Sequence, residues 1–198
     1  MGDGAAGPAP RVGVLALQGD FAAHVRMLRD LGAEAREVRV PGDLEGLDGL
    51  VIPGGESTTM TLGIAREGLA EPLRDLARSG TPVLGTCAGM IMLDREHLGL
   101  MDMSCARNAF GRQIRSFEAD LEIPGVEGPP VRAVFIRAPW VADHGDAVEV
   151  LASVDGHPVA ARQDNLLVIS FHPEIAGETR LHDLFLAQVR ERLASCRT

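Results

Sequence analysis

The chain is predicted to fold as an α/β protein with a mostly parallel central sheet and an antiparallel extension. In the first half, short continuous apolar runs alternate with amphipathic stretches, the pattern of strand–helix–strand units with buried strands. Between residues 117 and 169, short strand-like runs follow one another with no helical stretch. Turn signals at Pro124-Gly125, His144-Gly145 and Asp155-Gly156 punctuate them. A closing amphipathic helix carries Leu181, Leu184, Phe185, Val189 and Leu193 on one stripe.

Residues 12–17 form an apolar run suited to a central buried strand. Phe21, Val25, Leu28 and Leu31 then recur at helical spacing, and Gly32 stops the helix. Residues 35–40, 49–52 and 82–85 continue as strands. Residues 58–66 read as a helix, with Glu56 and Ser57 as N-cap and first-turn residues. A further helix is expected from Cys87 to Leu93, whose residues are helix-compatible. The Gly/Ala/Pro-rich residues 1–10 read as a flexible tail, and 11–198 as a single domain. At 198 residues such a domain buries roughly 70% of its unfolded surface.

A net charge of −9 argues against a nucleic-acid-binding face. Cys87, Cys105 and Cys196 are odd in number and widely spaced, so neither a disulfide framework nor a zinc-type pair is suggested. No apolar run approaches membrane-helix length, and no cationic segment precedes an apolar core at the N-terminus. A cytoplasmic protein without cofactor or metal is expected.

The chemistry starts at Gly85-Thr86-Cys87-Ala88-Gly89, directly after the apolar Pro82-Val83-Leu84. A nucleophile between strand and helix needs a sharp elbow with small neighbours. The sulfur would sit at a helix N-terminus, where free N–H groups favour thiolate over thiol. The alternative is a buried structural cysteine beside packing glycines. A second apolar run, 166–171, delivers His172-Pro173-Glu174. In extended backbone, residues two apart point to the same side, so Glu174 can hold one ring nitrogen of His172 while the other faces the thiol. The competing account is a strand-end histidine before a proline turn. Pro53-Gly54-Gly55-Glu56-Ser57 follows the strand at 49–52, and its glycines let backbone amides approach a ligand. The N–H groups of Gly55 and Ala88 are candidate oxyanion donors, and capping of the next helix is the alternative for Glu56 and Ser57.

These three motifs resemble those of the triad, or class I, glutamine amidotransferases. Further stretches resemble one branch, the glutaminase subunits of pyridoxal 5'-phosphate synthase. They are Leu15-Ala16-Leu17-Gln18-Gly19, Gly54-Gly55-Glu56-Ser57-Thr58-Thr59-Met60, Arg107-Asn108-Ala109-Phe110-Gly111-Arg112-Gln113, Ser116-Phe117-Glu118-Ala119-Asp120 and Phe135-Ile136-Arg137-Ala138-Pro139. The similarity runs from about residue 12 to the C-terminal helix. The tail before Arg11 lies outside the pattern, and residues 94–100 look shorter than usual.

The resemblance implies a flavodoxin-like three-layer class I glutamine amidotransferase fold and a catalytic triad of Cys87, His172 and Glu174. It implies L-glutamine contacts at Gly55, Glu56, Ser57, Arg107, Ile136 and Arg137. Arg107 or Arg137 would clamp the glutamine carboxylate, and surface salt bridges are the alternative for each. The implied activity is hydrolysis of L-glutamine to L-glutamate and ammonia. The implied partner is a lysine-bearing barrel synthase subunit, in a large hetero-oligomer, that condenses the ammonia with ribose 5-phosphate and glyceraldehyde 3-phosphate.

All 19 basic residues are arginine. A chain without lysine forms no lysine Schiff base, so carbonyl chemistry in vitamin B6 synthesis must lie on another polypeptide. Two rivals remain at this point. A triad glutaminase serving a different synthase would share the triad but is not expected to carry both the 107–113 and 135–139 stretches. A non-catalytic docking subunit would not be expected to keep Cys, His and Glu intact.

Overall fold

The computed structural model describes residues 8–107 and 116–196. Within them lie strands β1 (Arg11–Leu15), β2 (Glu34–Val38), β3 (Gly49–Ile52), β4 (Val83–Thr86), β5 (Met103–Ala106), β6 (Ser116–Leu121), β7 (Val131–Ile136), β8 (Trp140–His144), β9 (Glu149–Val154), β10 (His157–Gln163) and β11 (Leu166–Ile169). The helices are α1 (Phe21–Asp30), α2 (Ser57–Arg66), α3 (Ala70–Arg78), α4 (Ala88–Leu93), α5 (Pro173–Ala176) and α6 (Arg180–Ser195).

The main sheet runs β2-β1-β3-β4-β11-β10-β9. Its first five strands are parallel, in the flavodoxin-like order, and β10 and β9 continue it antiparallel. The antiparallel extension is narrower than the run of strands from 117 to 169 suggests. The remaining strands form two separate ribbons, β5-β8 and β6-β7. Single-chain periodicity marks such strands but carries no information on which neighbour each one pairs with.

Strands β3, β4 and β11 are buried on both faces, as parallel strands between helical layers must be. On one face, Leu50, Ile52, Val83 and Val168 pack with Met60, Leu73 and Met90 of α2, α3 and α4. On the other, Val51, Leu84 and Ile169 pack with Leu28 of α1, Phe185 and Val189 of α6, and Phe135 of the β6-β7 ribbon. The alternation of faces along each strand gives three layers.

Local signals explain the element ends. The Asp20 carboxylate caps α1 by accepting from the Ala23 N–H at 3.3 Å. Asp155 and Gly156, both at positive φ, make the two-residue turn between β9 and β10. In the stretch 94–100, the buried Asp94 carboxylate closes a tight turn by accepting from the Glu96 and His97 N–H groups at 2.9 and 3.1 Å. Among the described residues no helix is long and apolar enough to cross a membrane.

Candidate active site

Parallel strands β1, β3, β4 and β11 are lateral neighbours, so the loops that leave their carboxyl ends converge. Those four loops carry Gln18, Gly54-Gly55-Glu56, Cys87 and His172 respectively.

Cys87 sits between β4 and α4 with φ 49° and ψ −110°, a strained conformation for a residue with a side chain. Its N–H donates to the Ile169 carbonyl at 2.8 Å, which ties the elbow to β11. The two flanking glycines are sterically required. A Cβ on Gly89 would lie 1.9 Å from the Ile52 carbonyl oxygen, and one on Gly85 would lie 2.7 Å from the Gly89 carbonyl oxygen.

His172 is fixed from two sides. Its N–H donates to the Val134 carbonyl of β7 at 2.9 Å. The preceding Phe171 is fully buried and meets Phe135 edge-on, with ring centroids 5.5 Å apart. The imidazole Nδ1 lies 2.7 Å from Glu174 Oε1, which leaves Nε2 for its hydrogen bond with Cys87. The His172–Glu174 contact does not arise from strand alternation. The strand ends at Ile169, and Glu174 stands in the first turn of α5, so the helical turn brings the carboxylate back to the ring. Pro173 at the first helical position, with its φ already set for a helix, starts that turn where extended backbone was expected.

Burial by itself lowers the His172 pKa, but the hydrogen bonds to Cys87 and Glu174 and their charges outweigh it and raise the value to about 10. At neutral pH the ring is therefore the imidazolium. For Glu174, burial raises the pKa, while the His172 hydrogen bond, the neighbouring His24 and the His172 charge bring it below the ordinary value.

Gly54 packs against this pair. A Cβ there would stand 2.7 Å from His172 Cε1 and 3.2 Å from Cys87 Cβ. Gly55 follows at φ 151°. The Glu56 carboxylate accepts from the Thr58 and Thr59 N–H groups at 3.2 and 2.8 Å, and these bonds lower its pKa. That side chain is engaged in capping α2.

A cavity of about 360 Å³ joins these groups. It is lined by Gly55, Glu56, Ser57, Cys87, Ala88 and His172, and also by Arg107, Ile136 and Arg137. Glu174 stands behind His172, outside the lining. Arg107 donates to Thr58 Oγ1 at 3.3 Å, and neither Arg107 nor Arg137 pairs with an acid among the described residues. Arg137 holds a φ of 45°. Residues 108–113 of the motif that begins at Arg107 lie outside the described residues. Elsewhere, burial first, then Asp94 and Glu96, push the Cys105 thiol up to about 12, so that sulfur is unreactive.

The sequence reading gave Gln18 no site role, although the residue lies in one of the quoted motifs. It lines the cavity, and its Oε1 accepts from the Glu56 N–H at 2.9 Å. Its position just past the end of β1, beside two other ligand-facing loops, is the signal that identifies it.

The SNO glutamine amidotransferase family model matches residues 14–191. The chain belongs to the SNO glutamine amidotransferase family. Its SNO-family relatives include a protein of Parafrankia sp. (strain EAN1pec) named pyridoxal 5'-phosphate synthase subunit PdxT. The two are 55% identical over 93% of this chain and 96% of the relative. A protein of the same name from Mycobacteroides abscessus is 55% identical over 91% of this chain and 98% of its own length. A crystal structure of a glutamine amidotransferase superposes with a TM-score of 0.84 at 45% identity, covering 90% of this chain and 98% of that one. PurLQS from Thermotoga maritima shares the fold at 19% identity and a TM-score of 0.70, over 93% of this chain and 99% of that one.

Proposed function

We propose that this chain is the glutaminase subunit of a pyridoxal 5'-phosphate synthase, which hydrolyses L-glutamine to L-glutamate and ammonia and passes the ammonia to a synthase subunit. The observation that carries the reading is Cys87, His172 and Glu174 bonded in series beside a cavity that also holds two arginines without acidic partners among the described residues. Family membership and relatives bearing the synthase-subunit name support it.

The imidazolium beside the sulfur makes Cys87 the nucleophile. Thiolate Sγ bonds to the glutamine side-chain carbonyl carbon, and the resulting oxyanion is held by the N–H groups of Gly55 and Ala88. The C–N bond breaks as His172 transfers its proton to the departing nitrogen, giving ammonia and a thioester. Acylation removes the Cys87 charge and hydrogen bond that raise the His172 pKa. Having given its proton to the ammonia, the ring is no longer held charged and serves, neutral, as base for the water that cleaves the thioester. Glu174 holds Nδ1 throughout. Arg107 and Arg137 take the α-carboxylate of glutamine, and Gly55, Glu56, Ser57 and Ile136 complete the substrate contacts. For Glu56 the contact is by packing, because its carboxylate caps α2 and its N–H and C=O are bonded to Gln18 and Met60.

A chain without lysine leaves the carbonyl condensation to its partner. That partner is a lysine-bearing barrel subunit, and the two assemble into a large hetero-oligomer. The test is glutamate release by the chain alone and with synthase subunit added at increasing ratio, together with transfer of glutamine amide nitrogen into product. Rates that rise with the partner, with nitrogen incorporated, support the reading. Glutamate release without incorporation would identify a stand-alone hydrolase, and no release in either condition would remove the activity.

A further inference from the structure

Two histidines stand behind Glu174, and the reaction above gives neither a role. His24 of α1 and His182 of α6 are fully buried. His24 Nδ1 and His182 Nε2 are 2.8 Å apart. His24 Nε2 faces Glu174 Oε2 at 3.5 Å and Thr86 Oγ1 of β4 at 3.5 Å. Glu174 Oε2 and His182 Nδ1 have no hydrogen-bond partner among the described residues. Nor do three His, Cys, Asp or Glu side chains converge there as a metal site among those residues. Burying two imidazoles is costly, and an aliphatic pair would join α1 to α6 without that cost.

The proton inventory gives the chain a direction. Burial lowers the pKa of both rings, that of His182 to about 3, so each carries a single proton at neutral pH. If His24 donated from Nδ1, its bare Nε2 lone pair would face a carboxylate, and His182 would bury an N–H on Nδ1 with no acceptor. With the protons reversed, His182 Nε2–H donates to His24 Nδ1, and His24 Nε2–H points toward Glu174 Oε2 and Thr86 Oγ1. Only a lone pair on His182 Nδ1 is then left over. The second arrangement orphans no N–H and places no lone pair against a negative charge.

We propose that His24, oriented by His182, is a positioning residue for the triad, holding Glu174 through Oε2 so that Oε1 meets His172 Nδ1. The role rests on the glutaminase reading. The other groups that act on His24 are Asp20 at the N-cap of its own helix, Glu174 and His172 at the start of α5, His182 on α6, and Thr86 on β4. Without the His24 N–H, the carboxylate loses a group that favours its charged form. Glu174 then protonates at higher pH and releases His172.

Two polar variants separate positioning from simple attachment of the helices. His24→Gln places an amide donor near the former Nε2 and gives up the bond to His182. His24→Asn does the reverse. Positioning predicts that His24→Asn lowers kcat about tenfold, the low end of what one hydrogen bond to a charged group is worth, with KM for glutamine unchanged. The acidic limb of its kcat/KM profile moves to higher pH, while His24→Gln keeps the wild-type limb. Equal kcat and an unmoved limb in both variants, with only the melting temperature altered, would overturn the proposal. If the wild-type chain releases no glutamate, the glutaminase reading fails by itself. Titration of the Glu174 carboxyl by NMR then decides, since an unchanged midpoint in His24→Asn refutes the contact. If His24→Asn does not fold, His182→Asn is put through the same titration: an upward shift supports the orienting role, and no shift refutes it.

Discussion

Replacing Gly54 by alanine tests whether the triad geometry sets the rate. Gly54 is absent from the glycines held at positive φ, so alanine is compatible with the backbone and the effect is steric. The new methyl would lie 2.7 Å from His172 Cε1, against the 3.4 Å at which ordinary contact begins, so the ring must retreat by about 0.7 Å. It cannot do so alone, because Nδ1 is bonded to Glu174 and the backbone N–H to Val134. A misplacement of ~1 Å at reacting groups costs about a hundredfold in rate, so kcat for glutamate release should fall ten- to a hundredfold. KM should change little, since Arg107 and Arg137 are on other segments. Gly42→Ala is the control: nothing lies within 4 Å of its new methyl. There the restricted unfolded chain should raise stability by about 0.4–1 kcal/mol with activity unchanged. The assay is glutamate release at saturating glutamine with the synthase subunit present, beside a thermal melt of each variant. A folded Gly54→Ala protein with kcat within twofold of wild type would refute the claim that imidazole placement limits the reaction.

Cys87→Ala should abolish glutamate release while the melting temperature stays close to wild type; retained activity would remove the nucleophile. A glutamine-like electrophile such as 6-diazo-5-oxo-norleucine should label Cys87 and spare Cys105, whose thiol is pushed up to about 12, and mass spectrometry of the digest reads the site. NMR titration of His172 should give a midpoint well above the ordinary 6.5, toward the value of about 10, and Cys87→Ala should lower it because a raising partner is lost. The sign for stability follows: the His172 contribution is complete below pH 6.5 and disappears as pH rises toward 10. A wild-type midpoint at or below 6.5 would contradict the imidazolium state. Arg107→Gln and Arg137→Gln should each raise KM for glutamine by about tenfold or more, as loss of a charge-assisted hydrogen bond does, with kcat less affected. Unchanged KM in both would remove the carboxylate clamp.

The inner parallel strands β1, β3, β4 and β11 were legible because each is a short apolar run with turn signals at its ends, and burial on both faces demands that composition. The partners of β5 to β8 were not legible, since pairing in ribbons depends on long-range register that alternation does not encode. The helix α3 left no reading of its own, although Leu73 and Ala77 bury its inner face. At the site, Cys87 announced itself through Gly85 and Gly89, whose smallness the contacts with the Gly89 and Ile52 carbonyls explain. His24 and His182 escaped notice because each sits among residues that read as plain helix stripe. His24 falls between Phe21 and Leu28, and His182 precedes Phe185, Leu186 and Val189 on the buried face. A histidine at an inward helical position is the signal to look for.

Backbone strain supplies a separate argument for where the chemistry lies. Four residues other than glycine hold positive φ among the described residues: Cys87, Arg137, Asp155 and Asp164. The two aspartates occupy the short turns joining β9 to β10 and β10 to β11, where such side chains tolerate that conformation through local hydrogen bonds. Cys87 and Arg137 have no such local reason, and both line the cavity. A strained residue of this kind costs about 1–3 kcal/mol and persists only where its surroundings over-determine it. For Cys87 those surroundings are the bond to Ile169 and the close passage of Gly89 over Ile52. For Arg137 the β6-β7 ladder holds the backbone up to its neighbour Ile136. The strain therefore falls on the proposed nucleophile and on an arginine proposed to hold the substrate, both lining the same cavity, and the rigid sheet and ribbon behind them keep it there.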